Sequence, residues 1–339
     1  MSKSKILIID GLNNFVRFLM VNTSISQDGE MIGGIAGFIK FLLWTNTTLV
    51  PTKIIIVWEK GGGNARRKQL YPEYKANRAT SGLDKDVLKE INSDASLLKT
   101  ELNGEDKIRQ LLVLTRILKH LPVCQIYHPE SECDDIIGYI VKYKFLEEDV
   151  EKIIVSGDKD FYQLLIPNSN KVKVYDSQTR KTVLPESVKE RFGISSRNFC
   201  LARAVVGDDS DNIHGVNGIG LKTMAKRFPF LADDSVDYSV QQLIESCQKT
   251  LSGDKKAQKC FQSIIDGEEI IKRNWQLMYL DTFNHSASQL TKIDSLVDNF
   301  VPEFNKINFL REFMKSGLSI TTDMDRLLYD MRGLIPKKE

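Results

Sequence analysis

KILII, at Lys5–Ile9, is a short apolar run rich in β-branched residues, with polar neighbours on both sides and Asp10 directly after it. Runs of this kind are typical of strands that are buried on both faces of a sheet. Helix-like patterns separate this run from three others, and such alternation predicts an α/β fold with a mainly parallel sheet flanked by helices. The three other runs are Lys53–Trp58 (KIIIVW), Val123–Tyr127 (VCQIY) and Lys152–Ser156 (KIIVS).

The pattern changes near residue 190. Val172–Tyr175 and Lys181–Val183 predict a hairpin at one edge of the sheet, and helical patterns dominate after it. We therefore expect an α/β core over residues 1–190 and a helical region over residues 191–339. The helical patterns of the chain are Gly34–Thr48, Asp106–His120, Glu132–Lys144, Glu186–Phe192, Arg197–Val206, Leu221–Phe228, Val240–Lys249, Asp254–Leu277, Asn305–Lys315 and Thr322–Arg332.

Composition excludes some classes of function. Of the 339 residues, 42% are hydrophobic and 27% are charged, and the formal net charge is only +2. This balance excludes a polycationic tail but not nucleic-acid binding, because charges can be segregated by region. No apolar run approaches the roughly 20 residues that cross a bilayer, and the start MSKSKILIID lacks the layout of a signal peptide. We therefore expect a cytoplasmic protein without a membrane partner. Five widely spaced cysteines argue against a disulfide framework and against a Cys/His zinc site.

Carboxylates follow the predicted strands. Asp10 and Glu59 come after the first two strands, and Asp158 and Asp160 come after the fourth. Ligands of open α/β sheets bind beyond the carboxyl ends of the strands, so these side chains are expected to meet there. The helix after the third strand opens with three more acids, which are Glu132, Asp134 and Asp135.

So many like charges cannot all stay ionised at one place without a counter-charge. Ligation by oxygen alone, without His or Cys, favours Mg²⁺ or Mn²⁺ over Zn²⁺. Two such ions about 4 Å apart can stabilise the attacking and leaving oxygens of a phosphodiester. Taken singly, each acid is equally well explained as a turn residue or a helix cap, and Asp135 as a residue that stabilises its helix N-terminus. The joint pattern favours metal ions.

The segment Gly207–Phe228 (GDDSDNIHGVNGIGLKTMAKRF) combines acids, glycines and a basic helix. A glycine-rich turn that enters a helix exposes backbone N–H groups, which suit a phosphate. A helix rather than a strand precedes this turn, which argues against a dinucleotide site or a P-loop. The pattern favours a helix–hairpin–helix type of clamp on a duplex backbone, without base readout. The residues concerned are Asp208, Asp209, Asp211, Gly215, Gly218, Gly220, Lys222, Lys226 and Arg227.

A second basic segment, Trp58–Arg78, interleaves cations with Tyr71 and Tyr74. Cations for phosphates and rings for bases are typical of contacts with single strands or junctions, although a solvated loop has the same composition. The polar residues 76–106 that follow are longer than an ordinary connection between a strand and a helix. Insertions of this length are usually functional or mobile. The cations of the segment are Lys60, Arg66, Arg67, Lys68, Lys75 and Arg78.

Together these motifs resemble the 5′-nuclease family, which comprises flap endonucleases, the 5′→3′ exonuclease domain of bacterial DNA polymerase I and stand-alone bacteriophage 5′-exonucleases. They follow the family order over about residues 5–230, and the stand-alone bacteriophage type fits best because 339 residues leave no room for a polymerase domain. The motifs are IIDG, with Arg17 seven residues after Asp10, then YPEYKANR, ESECDD, VSGDKDFYQLL and GDDSDNIHGVNGIGLKT.

The resemblance implies a PIN-like α/β core with two metal sites. The first ion would be held by Asp10, Glu59, Glu132 and Asp134, and the second by Asp158, Asp160, Asp208 and Asp211. Asp134 or Asp135 would lie between or behind the two ions. The family usually has Asp where this chain has Glu59, so the first site is expected to be looser. Mg²⁺ is the implied cofactor and Mn²⁺ the expected substitute.

The resemblance also implies how DNA would be held. Lys75 and Arg78 would contact the scissile phosphate at the base of a helical arch formed by residues 76–106. Tyr74 would stack on the terminal base, and Arg17 would bind a phosphate nearby. The turn Gly215–Gly220 would grip duplex, where family members often also bind K⁺. Further DNA contacts are expected from Arg66, Arg67, Gly218, Lys222 and Lys226.

The implied function is a structure-specific 5′-nuclease, with exonuclease and flap endonuclease activity, that hydrolyses DNA by a two-metal mechanism in replication or repair. Its partner would be DNA with 5′ junctions, extending to RNA primers and RNA–DNA hybrids. We expect a monomer in the cytoplasm, the host's if a bacteriophage encodes the chain. Residues after about 240 match nothing in the family motifs and could serve a replication partner. Two alternatives stay open, which are a PIN-like ribonuclease and a catalytically silent protein that binds branched DNA.

Overall fold

The computed structural model describes residues 4–59, 63–78, 104–128, 130–147, 149–251, 255–319 and 322–336. A six-stranded sheet has the order β3-β2-β1-β4-β5-β6 and is parallel except for β6, which pairs antiparallel with β5. The predicted mainly parallel sheet and its edge hairpin are therefore confirmed. The strands are β1 Ser4–Asp10, β2 Lys53–Glu59, β3 Cys124–His128, β4 Val150–Val155, β5 Val172–Asp176 and β6 Lys181–Val183.

The register of the central strands brings their carboxyl ends level. Ile9 of β1 is paired with Ile56 of β2 on one side and with Val155 of β4 on the other. These three side chains are fully buried because helices cover both faces of the sheet. The residues that follow them in the chain therefore emerge at the same edge.

Helices occupy most of the remaining described residues. The helical patterns of the sequence correspond to real helices, with boundaries that differ by one or two residues in most cases. A short antiparallel ladder joins β7 (Gly207–Asp208) to β8 (Ile213–His214). The helices are α1 Gly11–Val21, α2 Gly33–Leu49, α3 Ala65–Leu70, α4 Gly104–Leu118, α5 Cys133–Tyr143, α6 Pro185–Phe192, α7 Phe199–Val206, α8 Leu221–Arg227, α9 Val240–Thr250, α10 Lys255–Asp266, α11 Glu268–Met278, α12 Ala287–Asp298, α13 Lys306–Lys315 and α14 Thr322–Asp330.

Two features of the helices differ from the prediction. The single helix expected over Asp254–Leu277 is two helices, α10 and α11, which meet at Gly267. A Cβ atom at Gly267 would lie 2.8 Å from Cγ2 of Val216, so the glycine allows a close approach at this junction. Helices α1, α3 and α12 were not predicted. Asp10 caps α1 by accepting a hydrogen bond from the backbone N–H of Asn13.

Two hydrophobic clusters cover the two faces of the sheet. Ile8 and Val57 belong to one cluster, and their neighbours Leu7 and Ile56 belong to the other, as the alternation of a strand requires. The first cluster contains residues from both sides of residue 190, and the division of the chain there stays a prediction. Residues 79–103, which make up most of the predicted arch, lie outside the described residues. In the described ranges, every helix is too short or too polar to cross a membrane.

Candidate active site

Asp10 stands at the carboxyl end of the central strand β1. It is 5% exposed, and its Oδ2 accepts a hydrogen bond of 3.0 Å from Oγ of Ser156, at the end of β4. Burial raises the pKa of Asp10 to about 6, and the charge of Glu59 adds to the effect. The ends of β1 and β2 therefore bring two carboxylates together, as the sequence predicted.

Glu132 lies directly before α5 and has two differently bound oxygens. Its Oε2 accepts hydrogen bonds of 3.0 Å from the hydroxyl of Tyr74 and from Nζ of Lys75, and Nη1 of Arg67 lies 3.3 Å away. Burial would raise the pKa of Glu132, but Lys75 and Arg67 hold it below its usual value. The buried Oε1 has no hydrogen-bond partner among the described residues. This second oxygen is therefore available to a cation.

Asp134 and Asp158 link the acids of α5 to those that follow β4. Burial raises the pKa of Asp134 well above its ordinary value, and repulsion from Asp158 and Asp10 adds to the effect. Burial, together with repulsion from Asp160, raises the pKa of Asp158 to about 8. Each of these carboxylates is destabilised by the next, which is the electrostatic signature of acids packed around a site for cations.

Arg203, in α7, binds two further acids of the site, Asp160 and Asp208. Its Nη2 donates to Oδ1 of Asp160 at 3.0 Å and also to Oδ2 of Asp208. Burial raises the pKa of Asp160 despite this guanidinium, whereas Arg203 holds the pKa of Asp208 below its usual value. Arg203 was not predicted as a site residue. Its signal in the sequence is that it is the only charged side chain in the apolar helix FCLARAVV.

The motif YPEYKANR lies across the acidic site. Tyr74 is 2% exposed, and its hydroxyl lies 3.0 Å from Glu132 and 3.2 Å from Asp211. Lys75 is 8% exposed, has a positive φ of 55° and donates its backbone N–H to the carbonyl of Asp211. The ring of Tyr74 is thus buried inside the site, and its stacking on a base stays a prediction. Of Arg78, only the backbone is described, in the 3₁₀ turn Ala76–Arg78.

Arg67 and Asp135 are paired with each other. The guanidinium of Arg67 forms a bidentate ion pair with Asp135, with N–O distances of 2.5 and 2.8 Å. Asn284 donates a further hydrogen bond of 2.8 Å to Oδ1 of Asp135. The sequence predicted a DNA contact for Arg67 and a metal ligand for Asp135, but the structure gives both side chains another partner. The neighbouring Arg66 is exposed.

The three glycines of the predicted clamp differ in their surroundings. A Cβ atom at Gly215 would lie 2.1 Å from the carbonyl oxygen of Val206, so this position serves backbone packing. Gly218 has a positive φ of 77°, and neither Gly218 nor Gly220 has any described atom within 4 Å of such a Cβ atom. The turn that contains them connects α7 and the β7–β8 ladder to α8 and has open space beside it.

The predicted DNA-contacting cations lie at different places. Lys222 and Lys226 are exposed one turn apart on α8. The Nη2 of Arg17 donates to the carbonyl of Gln178 at 3.4 Å. Lys222 and Lys226 therefore lie at the surface beside the glycine turn, whereas Arg17 already contacts the polypeptide.

Cys133 places a sulfur atom among the oxygens, whereas the sequence analysis expected oxygen atoms alone, without Cys, at this place. Its Sγ lies 3.6 Å from Oδ1 of Asp10 and 3.4 Å from the carbonyl of Val57. One donor atom each of Asp10, Cys133 and Asp134 fall within 4.8 Å of one another. Burial and the charge of Asp10 raise the pKa of the Cys133 thiol well above its ordinary value.

Comparison with known proteins gives consistent matches. A sequence profile described as 5′-3′ exonuclease, N-terminal resolvase-like domain, matches residues 5–193. The chain is 30% identical over 219 residues to the thermostable DNA polymerase I of Thermus filiformis, an alignment that covers 65% of this chain and 23% of the polymerase. It is also 30% identical over 225 residues to a 5′-3′ exonuclease of Buchnera aphidicola subsp. Schizaphis graminum, covering 65% of this chain and 68% of that protein. The chain thus matches less than a quarter of the polymerase but most of the exonuclease.

Among solved structures, the flap endonuclease D15 of bacteriophage T5, in a complex with DNA and metal ions, has a similar fold. The TM-score is 0.62 and the identity 21%, and the superposition covers 96% of this chain and 99% of the T5 chain. This coverage includes residues after 240, for which the sequence motifs offered no match. The fold similarity therefore extends through the helical region.

Proposed function

Because the chain belongs to the 5′-3′ exonuclease family defined by the N-terminal resolvase-like domain, we propose that it is a structure-specific 5′-nuclease. Its reaction would be the hydrolysis of DNA phosphodiesters at 5′ ends and flaps, as exonuclease and as endonuclease. The observation that carries this proposal is the row of mutually repelling carboxylates, from Glu59 through Asp134 to Asp208, at the carboxyl edge of the sheet.

These residues fit divalent metal ions. Glu132 keeps one buried oxygen without a hydrogen-bond partner among the described residues, and Asp134 and Asp158 carry raised pKa values that a divalent cation would reverse. Carboxylate oxygens are the ligands of Mg²⁺ and Mn²⁺, and we propose Mg²⁺ as the natural ion. Asp10, Glu59, Glu132 and Asp134 would hold one ion, and Asp158, Asp160, Asp208 and Asp211 the other.

Bound Mg²⁺ ions would supply an activated water and stabilise charge on the reacting phosphate. The protein would supply the remaining positive charge through Lys75 and Arg78, at the place where negative charge develops. Lys75 already has its ammonium beside the acids, at 3.0 Å from Glu132 and 3.8 Å from Asp211. No side-chain nucleophile is required in this proposal.

The glycine turn would hold the duplex by its backbone. Gly218 and Gly220 have free space in front of them, and the exposed Lys222 and Lys226 stand directly behind this turn in α8. Such a surface contacts phosphates without reading bases, so structure rather than sequence would select the substrate. We further propose that K⁺ binds carbonyl oxygens of this turn and that the 5′ strand is contacted by residues 76–106.

A labelled 5′-flap duplex tests the proposal. We expect cleavage near the junction with Mg²⁺ or Mn²⁺ and none with EDTA, and Asp134→Asn should abolish it. A ribonuclease would instead cut an RNA hairpin in preference to the flap. Binding of the flap without any cleavage, under every divalent ion, would contradict the proposed nuclease and favour a protein that only shields branched DNA.

A further inference from the structure

Arg67 connects three helices from a buried position. It belongs to α3 and is 6% exposed. Its Nε donates to the carbonyl of Leu277 in α11 at 2.7 Å, and its two terminal nitrogens bind both oxygens of Asp135 in α5. A planar guanidinium with several donors suits this arrangement, which a lysine could not reproduce.

Asp135 is equally enclosed. It is 2% exposed, and Nδ2 of Asn284 donates to its Oδ1 at 2.8 Å as well as to the carbonyl of Tyr279 at 3.1 Å. Three N–H groups therefore converge on one carboxylate. Oδ1 of Asp135 accepts two of these hydrogen bonds and Oδ2 accepts one, so a metal ion at Asp135 would have to compete with a bidentate arginine for the carboxylate.

The pair also has a defined relation to the acids of the active site. Asp135 and Asp134 are neighbours in the first turn of α5, so contacts that anchor Asp135 also hold the backbone that carries Asp134. Nη1 of Arg67 lies 3.3 Å from Oε2 of Glu132, the same oxygen that accepts from Lys75. Arg67 therefore lies beside α5, which carries the proposed metal ligand Asp134, and beside Lys75, the proposed phosphate contact.

We propose that Arg67 and Asp135 are positioning residues, which orient Glu132, Asp134 and Lys75 and bind neither DNA nor metal. This inference rests on the proposed nuclease function, since it assigns roles within that site. It differs from the roles that the sequence predicted, a DNA contact for Arg67 and a metal ligand for Asp135.

The first experiment compares Arg67→Met with Arg66→Met, a matched control that removes an exposed arginine one residue away. Flap DNA affinity is measured in EDTA at several salt concentrations. We expect Arg66→Met to lower the slope of log K against log salt by about 1, as loss of one phosphate contact does. Arg67→Met should leave both slope and affinity within threefold of the wild type. A lower slope for Arg67→Met would overturn the proposal.

The second measurement is the steady-state cleavage of flap DNA. Arg67→Met is expected to lower kcat at saturating Mg²⁺ by about 100-fold, the size of effect seen when a preorganised site loses one of its oriented groups, with KM within threefold. Arg67→Lys, which keeps the charge but loses the bidentate geometry, should restore only part of kcat. A normal kcat in Arg67→Met, or a rise in KM alone, would contradict a positioning role.

A double-mutant cycle with Arg67→Met and Asp135→Leu uses thermal unfolding and does not depend on activity. Arg67→Met leaves the buried Asp135 without its cation, and Asp135→Leu leaves the buried Arg67 with only Glu132 as an anionic partner, so each should lower Tm more than the double variant does. Additive losses of Tm would show that the two side chains act separately and would overturn the inference. If the wild type cleaves no 5′ substrate, the nuclease proposal fails, while the Tm cycle and the salt slopes still decide how Arg67 is used.

Discussion

Nζ of Lys75 lies 3.0 Å from Oε2 of Glu132, and both side chains are more than nine-tenths buried. The lysine reaches this position from a left-handed backbone conformation, and its backbone N–H donates to the carbonyl of Asp211. Two side-chain amides join residues 73–77 to the loop 209–212: Asn77 donates to the carbonyl of Asp209, and Asn212 donates to the carbonyl of Glu73. One lysine therefore partly neutralises the acids of both proposed metal sites.

Lys75→Met is expected to lower turnover by about 100-fold, because a fixed positive charge is lost where negative charge develops. The measurement is single-turnover cleavage of a flap substrate at saturating Mg²⁺. Lys222→Met is the control. Loss of this exposed lysine should weaken DNA binding with little effect on turnover. Normal turnover in Lys75→Met would remove Lys75 from the mechanism.

Asp158→Asn should separate binding from cleavage. The substitution keeps the shape of the side chain but removes a charge whose repulsion with Asp160 and Asp134 a divalent cation would relieve. We expect flap affinity in EDTA to stay within threefold and cleavage to fall by orders of magnitude. Asp209→Asn, an exposed acid outside the proposed ligand set, should cleave normally; a fully active Asp158→Asn protein would refute the metal assignment.

The glycines of the predicted clamp should respond differently to a methyl group. Gly215→Ala would place Cβ 2.1 Å from a backbone oxygen of Val206, and we expect a loss of roughly 1–3 kcal/mol in the free energy of unfolding in urea. Gly220→Ala adds Cβ into open space at a backbone conformation that alanine adopts, so stability should change by less than about 0.5 kcal/mol. Gly220→Ala should instead weaken binding to nicked duplex. Equal destabilisation by the two substitutions would contradict the packing role of Gly215.

The stability of the metal-free protein should fall as the pH rises from about 4 to 8. The folded pKa values of Asp10 and Asp158, about 6 and about 8, lie above the ordinary value of 3.8, so the folded state holds protons in this range that the unfolded state has released. Each such proton contributes a slope of about −1.4 kcal/mol per pH unit up to the folded pKa of its group, which is about 6 for Asp10 and about 8 for Asp158.

Urea unfolding in EDTA across this range measures the slope, and Asp158→Asn, which cannot release that proton, should make it shallower. Adding Mg²⁺ at pH 8 should raise the free energy of unfolding of the wild type, because the ion binds only the folded state. A metal-free stability that increased from pH 5 to pH 8 would contradict the raised pKa values.

The order of residue types along the chain was sufficient to predict the sheet and most of the acidic edge. Runs such as Lys5–Ile9 are apolar on both faces, which requires a covered parallel sheet, and parallel strands must bring their carboxyl ends to one edge. The position of Asp10 beside Glu59 and near Asp134 follows from that rule. A match with the motifs of a known family then added Asp208 and Asp211, which no strand end predicts.

Which charges pair with one another could be read only from the folded chain. Arg66 and Arg67 are adjacent and chemically identical, yet one is exposed and the other binds Asp135, 68 residues away in the chain. Arg203 likewise reaches Asp160 across 43 residues. Ionic partners are selected by the packing of helices around the sheet, and burial then sets the cost of leaving a charge unpaired. Residue type and spacing contain neither the packing nor the burial, so these roles became visible only in the folded chain.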